Sequence, residues 1–552
     1  MNPAQLLSHF DRIGEAPDAI PRLRRFILDL AVRGKLVEQD PRDEPASVLL
    51  KRIDAEKASL MKKGKIQKQP LIEDLDESDL PFELPQGWLW SRLGNIGDWG
   101  SGSTPPRGNS EYYGGDVTWL KSGELGDCLA LQGSEEKVTE MALKKCSFRL
   151  NQSGDVLIAM YGATIGKLAI LAEPAVTNQA VCGCTPFAGI LNRYLFIFLL
   201  SRRADFHSQS EGGAQPNISK VKIVLSPFAL PPLAEQQRIV AKVDELMALC
   251  DRLEAAQTER ERRRDRLMAS SLHHLNNGAD ADADAFRQHA RFYFNHLPRL
   301  TTRTDHIKQL RQTILNLAVR GKLVEQDPTD EPASELVQRI GGEKADNEPF
   351  SIPISWVWIS VGQIGDARLG KMLDKGKNKG TPRRYLRNVN VRWFDFDLSD
   401  VFQMRFEDAE LAEFALRKGD VLICEGGEPG RAAVWDEREN KIYFQKAIHR
   451  VRFPEGVAPH FFVNALRQSA DSGRLSGYFT GVGIKHFTGR GLSSFVFPLP
   501  PLAEQHRIVA KVDELMTLCD QLETQITTTQ SESQKLLEAI LHGALAKPKG
   551  KI

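Results

Sequence analysis

Hydrophobic residues recur at a spacing of four, three, four, three in two distant parts of the chain. Ile239, Val243, Leu246, Cys250 and Leu253 make the first stripe, and Ile508, Val512, Leu515, Cys519 and Leu522 the second. That spacing predicts long helices with a narrow coiled-coil seam rather than the broad apolar face of a surface helix. Both stripes follow one opening, Leu-Pro-Pro-Leu-Ala-Glu-Gln, at Leu230–Gln236 and Leu499–Gln505. Paired prolines stop the preceding strand and pre-set a first helical turn. Over Leu230–Glu254 against Leu499–Glu523, 22 of 25 residues are identical. The second stripe continues through Ile526 and, past the polar Thr529 and Ser533, to Leu536 and Ile540. A helix of about 45 residues is roughly 68 Å long. Neither helix can bury its seam alone, so each is the expected partner of the other in a central rod.

Other patterns repeat in the same order. Leu23–Ser47 returns at Leu310–Ser334 with 21 of 25 residues identical. Its apolar positions, Ile27, Leu28, Leu30, Ala31 and Val32, suit one helix, and Gly34 suits its C-cap. A fainter third copy, Ile540-Leu541 and Ala544, lies near the end. Pro85, Trp88 and Trp90 have counterparts at Pro353, Trp356 and Trp358, and Gly154-Asp155-Val156-Leu157-Ile158 returns as Gly419-Asp420-Val421-Leu422-Ile423. The offsets, between 265 and 287 residues, describe a tandem duplication, far longer than a solenoid repeat. Expected boundaries are an N-terminal helical arm and linker at 1–83, a globular block at 84–229 and a central helical region at 230–345. A second block at 346–498 and a C-terminal helical region at 499–552 complete the chain. Between landmarks the two blocks share little, so two similar scaffolds carry two different recognition surfaces.

At 552 residues the chain is too long for one core. A hydrophobic content of 41% and a charged content of 26% are those of an ordinary globular protein. The net charge of +1 conceals local imbalance and neither suggests nor excludes nucleic acid. Seven cysteines form no secreted framework, no signal peptide is recognisable, and the longest apolar run, Tyr194–Leu200, is too short to span a bilayer. A cytoplasmic protein is expected. Asn276–Asp284 reads as a flexible acidic loop and Lys547–Lys551 as a basic tail.

The search for chemistry returns mainly negatives. Gly162–Lys167 resembles a phosphate loop with one residue too few between its glycines, and Leu168 stands where a magnesium-binding hydroxyl belongs. Cys182-Gly183-Cys184 lacks the second pair a zinc site needs. Asn347-Glu348-Pro349-Phe350 half matches an amino-methyltransferase signature without a glycine-rich loop before it. Glu437 and Lys441 make no nuclease, and His273-His274 suits a solvated helix face. No catalytic residue and no metal site is assigned.

Basic clusters are the positive signal. Lys371, Lys375, Lys377, Arg383, Arg384 and Arg387, with Asn388 and later Arg431, form a run suited to phosphates and base edges. A solvated charged face is the plainer alternative. In the first block Ser103, Thr104 and Arg107 form a polar loop, with Lys121 and Lys167 spread beyond it. Turns before each proline pair, Gly212–Lys220 with Asn217 and Lys220, and Gly481–Gly489 with Lys485 and His486, complete the DNA-contact candidates; simple chain reversal would also explain their glycines. Glu235, Gln236 and Arg238, repeated as Glu504, Gln505 and Arg507, read as exposed. They either cap the helix or present one surface twice to two copies of a partner.

Taken together, the paired Pro-Pro-Leu-Ala-Glu-Gln helices, the duplicated Ala-Val-Arg-Gly-Lys-Leu segment, the Pro-x-x-Trp entries and the Gly-Asp-Val-Leu-Ile strands resemble the specificity subunits of type I restriction–modification systems. The resemblance implies an α+β chain: two mixed α/β target-recognition domains separated by two long antiparallel coiled-coil helices, with an internal pseudo-twofold duplication. It implies that each domain reads one half of a bipartite, asymmetric sequence in double-stranded DNA. It further implies docking of two methyltransferase subunits, which use S-adenosylmethionine to methylate adenine at N6, and of ATP-dependent, magnesium-using restriction subunits. This chain would itself bind no cofactor and catalyse nothing. Two features depart from the family's common form, the N-terminal arm and an insertion between Ser271 and Thr304. Residues 23–36 are expected beside the end of the second long helix. Alternatives from other classes are a coiled-coil scaffold with two protein-binding domains, and a self-contained DNA methyltransferase or nuclease.

Overall fold

Both long helices form, Leu233–Asn277 and Leu502–Leu545, in a computed structural model that describes residues 16, 18–67, 75–76, 80–210, 216–277, 283–374, 376 and 378–545. The Gly212-Gly213 turn, residues 278–282 of the acidic loop and the basic tail lie outside the described residues. The chain divides into two compact units, residues 1–259 with 530–552, and residues 260–529.

In the first unit the repeated segment folds as the helix Ala19–Val32, and Gly34 ends it at φ +63°. A Cβ there would stand 2.4 Å from Cγ of Pro85, so the glycine allows the Pro-x-x-Trp entry to lie directly on the helix end. The strand Leu89–Arg92 then pairs antiparallel with Pro227–Leu230, Trp90 opposite Ala229. The block therefore begins and ends side by side, just before the first long helix. Between them lies a five-stranded sheet in the order Gly97–Ser101, Val181–Pro186, Val156–Ala159, Leu168–Leu171, Cys128–Leu131. A three-stranded sheet orders Lys137–Val138, Tyr113–Leu120 and Val176–Thr177. Cys182 and Cys184 are buried core residues of the central sheet, and burial pushes the Cys182 thiol up to about 12.

The second unit repeats the plan. Its helix Thr304–Val319 ends at Gly321, whose Cβ position lies 2.4 Å from Cγ of Pro353. Val357–Ser360 pairs with Val496–Leu499, Trp358 opposite Pro498. The sheets run Asp366–Leu369, Ile448–Arg452, Val421–Cys424, Ala432–Val434, and Phe402–Phe406, Thr381–Leu386, Tyr443–Phe444. The shared Gly-Asp dipeptides have one physical role. Gly154 and Gly419 turn the chain at φ +91° and +87°. Asp155 and Asp420 then accept from the backbone amides of Gln152 and Arg417 at 2.9 and 2.8 Å.

Within each unit the helix seam is buried together with the helix of the repeated segment. Ile239, Val243 and Cys250 are buried in one cluster with Leu23, Ile27 and Ala31 of the repeated helix. Ile508, Val512, Leu515, Cys519 and Leu522 are buried with Ile307, Leu310 and Ile314 of the other copy. The helix that leads into the Ala-Val-Arg-Gly-Lys-Leu segment thus shares the seam's core, which explains why the two segments repeat together. Farther along the second long helix the buried positions are Ser533 and Leu537, Leu536 and Ile540 being partly exposed. In the first unit, Leu537 joins Ala16 and Ala19, and Arg22 pairs with Glu538 at 3.0 Å. The insertion forms the helix Ala283–Leu300, whose Tyr293, Leu297 and Leu300 pack on Met268, Leu272 and Leu275 of the first long helix.

Candidate nucleic-acid interface

Four loops meet at one end of the sheets in each unit, held by the same backbone hydrogen bonds. In the first unit the amides of Gly102, Ser103, Asn178, Met160 and Ile218 donate to the carbonyls of Val181, Thr177, Leu120, Ala180 and Met160, at 2.8–3.1 Å. In the second, the amides of Gly370, Lys371, Gln445, Glu425 and Phe487 donate to Ile448, Phe444, Leu386, Ala447 and Glu425, at 2.8–3.2 Å. Five bonds match one for one. They make Ser103 the counterpart of Lys371, Lys121 of Arg387, and Asn217 of His486. Lys167 and Arg431 match too, because the carbonyl of each accepts from the end of the preceding strand, Ala159 or Cys424, at 2.9 and 2.8 Å. Residues chosen separately in the two blocks therefore occupy equivalent places on a common frame.

The frame also gathers the first block's polar loop. Ser103 and Thr104 stand beside 177–179, and Thr104 Oγ1 donates to Gln179 Oε1. Arg107 and Lys121 converge on Glu136 at 2.9 and 2.5 Å, and both cations hold that carboxyl below its ordinary range. Arg107 lies 5.0 and 5.4 Å from the ring centroids of Tyr113 and Trp119. Asn217 is exposed and pairs with exposed Tyr161 across a β-bridge. Lys167 is half-buried and Lys220 exposed.

The basic run of the second block proves largely neutralised. Lys371 is corrected as a phosphate contact: it is buried, 8% exposed, with its ammonium on Glu410 and over the Phe406 ring. Arg384 pairs with Glu439. Arg387 pairs with Asp400 at 2.7 Å and lies 3.7 Å from the Phe402 centroid. Arg431 pairs with Glu428 at 2.9 Å and donates to the Asn388 carbonyl at 2.8 Å. The acids facing Lys371, Arg384 and Arg387 come from later segments, where a local count misses them, whereas Glu428 lies three residues before Arg431. Arg383 is half-buried with a partnerless Nε, and Lys485 and His486 are exposed. Lys375 and Lys377 lie outside the described residues.

The assignment of Glu235, Gln236, Glu504 and Gln505 to a docking surface is overturned, because all four are at most 1% exposed. Glu235 accepts from Trp88 Nε1 at 2.8 Å and Gln39 Nε2 at 3.0 Å. Gln236 accepts from the Leu191 amide at 2.9 Å and donates to the carbonyls of Gly189 and Pro231 at 3.1 and 3.2 Å. The second copy matches: Trp356 and Gln326 donate to Glu504, and Gln505 binds the Ala458 amide and the Gly456 and Pro500 carbonyls. Burial pushes both carboxyls up. Arg238 and Arg507 are partly exposed and bind Asp43 and Asp330 at 2.5 and 2.6 Å. The repeated helix segment, the Pro-x-x-Trp entry and the Pro-Pro-Leu-Ala-Glu-Gln opening all enter this clasp. Gln39, Asp43 and Trp88, which carried no functional reading of their own, are its missing members; their exact repetition was the available signal.

Among the described residues, no group of three or more His, Cys, Asp or Glu could hold a metal ion, and no helix is long and apolar enough to cross a membrane.

Comparison with known proteins matches the family model described as "Type I restriction modification DNA specificity domain" twice, at residues 85–261 and 353–529. The chain is 30% identical to the type I restriction enzyme EcoAI specificity subunit of Escherichia coli, over 95% of this chain and 94% of that subunit. It is 24% identical to the EcoKI specificity subunit of Escherichia coli strain K12, over 83% and 88% of the two chains. A solved HsdS subunit from Thermoanaerobacter tengcongensis aligns at 19% identity with a TM-score of 0.44, covering 85% of this chain and 98% of that one.

Proposed function

The chain belongs to the type I restriction–modification DNA specificity family, and from that premise we propose how it divides its labour. It is a specificity subunit with two DNA-recognition domains, and catalysis lies in other subunits of such a complex. Each four-loop frame reads one half of a bipartite, asymmetric site in double-stranded DNA, and the two long helices set the spacing between halves. Two methyltransferase subunits, using S-adenosylmethionine on adenine N6, and ATP- and magnesium-dependent restriction subunits assemble on this chain, which carries no cofactor of its own. The complex acts on DNA in the cytoplasm. One observation carries the reading: the same backbone frame occurs twice and presents unlike side chains, as expected of two readers with one ancestry and different targets. Lys167, Lys220, Lys485 and His486 are the foremost backbone and base contacts. Ser103, Thr104, Arg107, Lys121, Asn217, Arg387, Asn388 and Arg431 on the loops, Arg383 and Arg384 on the strand Thr381–Leu386, and Lys375 and Lys377 are the further contacts. Glu136, Glu428, Glu439 and Asp400 yield their arginine and lysine partners to phosphates on binding.

The test is to map methylated adenines genome-wide with and without this chain. A two-part motif that appears only with the chain supports the reading; a continuous motif, or methylation indifferent to the chain, refutes it. Deleting four residues from one long helix shortens it by about 6 Å. The accepted spacing should then change while both half-site sequences persist. A change in the half-sites themselves would overturn the division of roles.

A further inference from the structure

The loop Gly481–His486 carries the least explained chemistry in the second unit. Val482 is fully exposed and Ile484 is 75% exposed, although nothing in folding favours two bare β-branched side chains on one short loop. The loop is firmly closed. Thr480 and His486 exchange two backbone hydrogen bonds of 2.9 Å, and Gly481, at φ +98°, lies so close to the Ile484 carbonyl that a Cβ would stand 2.2 Å from it. His486 borders Gly426 of the neighbouring frame loop, and the next glycine, Gly427, borders the Asn388 amide. Lys485, within the loop, and Lys446, whose amide donates to the Lys371 carbonyl of the frame at 2.7 Å, are exposed and have no side-chain ion pair among the described residues. An apolar tip on a loop that also carries an exposed lysine matches a polyanion that also offers apolar groups. It suits an acidic protein surface less, because such a surface leaves the tip without a partner.

We infer that Val482 and Ile484 read a thymine 5-methyl group in the major groove, while Lys485 holds the adjoining phosphate. This rests on the second frame being a DNA reader, as proposed above. The thymine methyl is the apolar group that base pairs present in the major groove, and aliphatic side chains have no other base-edge feature to recognise there. A half-site containing a methylatable adenine includes at least one A·T pair, and so a thymine.

The experiment uses the complex with its methyltransferase subunits and a duplex bearing the motif mapped by adenine methylation. Thymines of each half-site are replaced one at a time by deoxyuridine, which removes only the methyl group. Binding is measured for the native complex and for the Val482→Ser, Ile484→Ser variant, whose changes lie on exposed side chains; a thermal melt checks its fold. One deoxyuridine should weaken native binding about four-fold, the factor expected for one buried carbon group. The variant should bind the thymine duplex about as weakly and ignore that deoxyuridine, with an unchanged salt slope. Equal losses for both proteins at every position, unaltered binding by the variant, or a reduced salt slope would overturn the inference. So would loss of methyltransferase subunits from the variant, which would make the tip a protein contact. If changing either half-site leaves binding unaffected, the DNA-reader proposal itself fails; if half-sites matter and the cycle is additive, only the role of this loop fails.

Discussion

Glu235→Ala separates a buried clasp from a docking surface. In the folded chain Trp88, 8% exposed, donates its indole N–H to Glu235 at 2.8 Å. Removing the acceptor strands a buried donor, which costs about 1–3 kcal/mol. Gln39 adds little, because its amide keeps the Gly34 carbonyl at 2.7 Å. For a unit of this size about 2–4 °C accompanies each kcal/mol, so the first unit's transition should fall by about 2–12 °C in scanning calorimetry. The second unit's transition should not move. Glu235→Gln keeps an acceptor for Trp88 and removes a charge that burial disfavours, so it should restore the melting temperature at neutral pH. The pH dependence has a definite sign. Burial holds the folded carboxyl above its ordinary 4.5, so the native state binds its proton more tightly than the unfolded chain does. This contribution to stability is fully present below 4.5 and is lost as pH rises through the folded value. Glu235→Gln should abolish that slope. A Glu235→Ala chain that melts normally but no longer retains methyltransferase subunits would refute the reasoning and restore the surface reading.

Gly34→Ala and Gly321→Ala should each destabilise one unit by more than about 1 kcal/mol in denaturant titration, because both need a left-handed backbone and meet a proline ring. Equal effects on both transitions would argue against independent clasps. Lys485→Ala should lower the salt slope of DNA binding by about one unit, and Arg384→Ala, tied to Glu439 in the free chain, should lower it with a smaller loss of affinity. Unaltered slopes in filter binding would remove both from the phosphate contacts.

The duplication, the long helices and the Gly-Asp-Val-Leu-Ile strands were legible because each rests on local pattern: repeated motifs, proline caps, heptad spacing, a short apolar run after a glycine. The repeated helix's share in the seam's core was not, since Leu23, Ile27 and Ile239 are joined by tertiary packing that periodicity cannot address. Glu235 and Gln236 looked exposed because acids and amides usually are; only their indole and backbone partners explain their burial. The basic run misled in the opposite direction. Its lysines and arginines stand together in sequence, while Glu410, Glu439 and Asp400 reach them from later segments. Pairing Lys121 with Arg387 required the backbone frame, since almost nothing around those residues is shared in sequence.

The first unit includes residues 530–552, among them Leu537 and Glu538, which contact Ala16, Ala19 and Arg22. During synthesis, the reader translated first must therefore wait for Leu537 and Glu538 to leave the ribosome before its arm is covered. A premature stop codon near residue 530 would be felt some five hundred residues upstream, around Ala16, Ala19 and Arg22, beside the reader whose own codons were untouched.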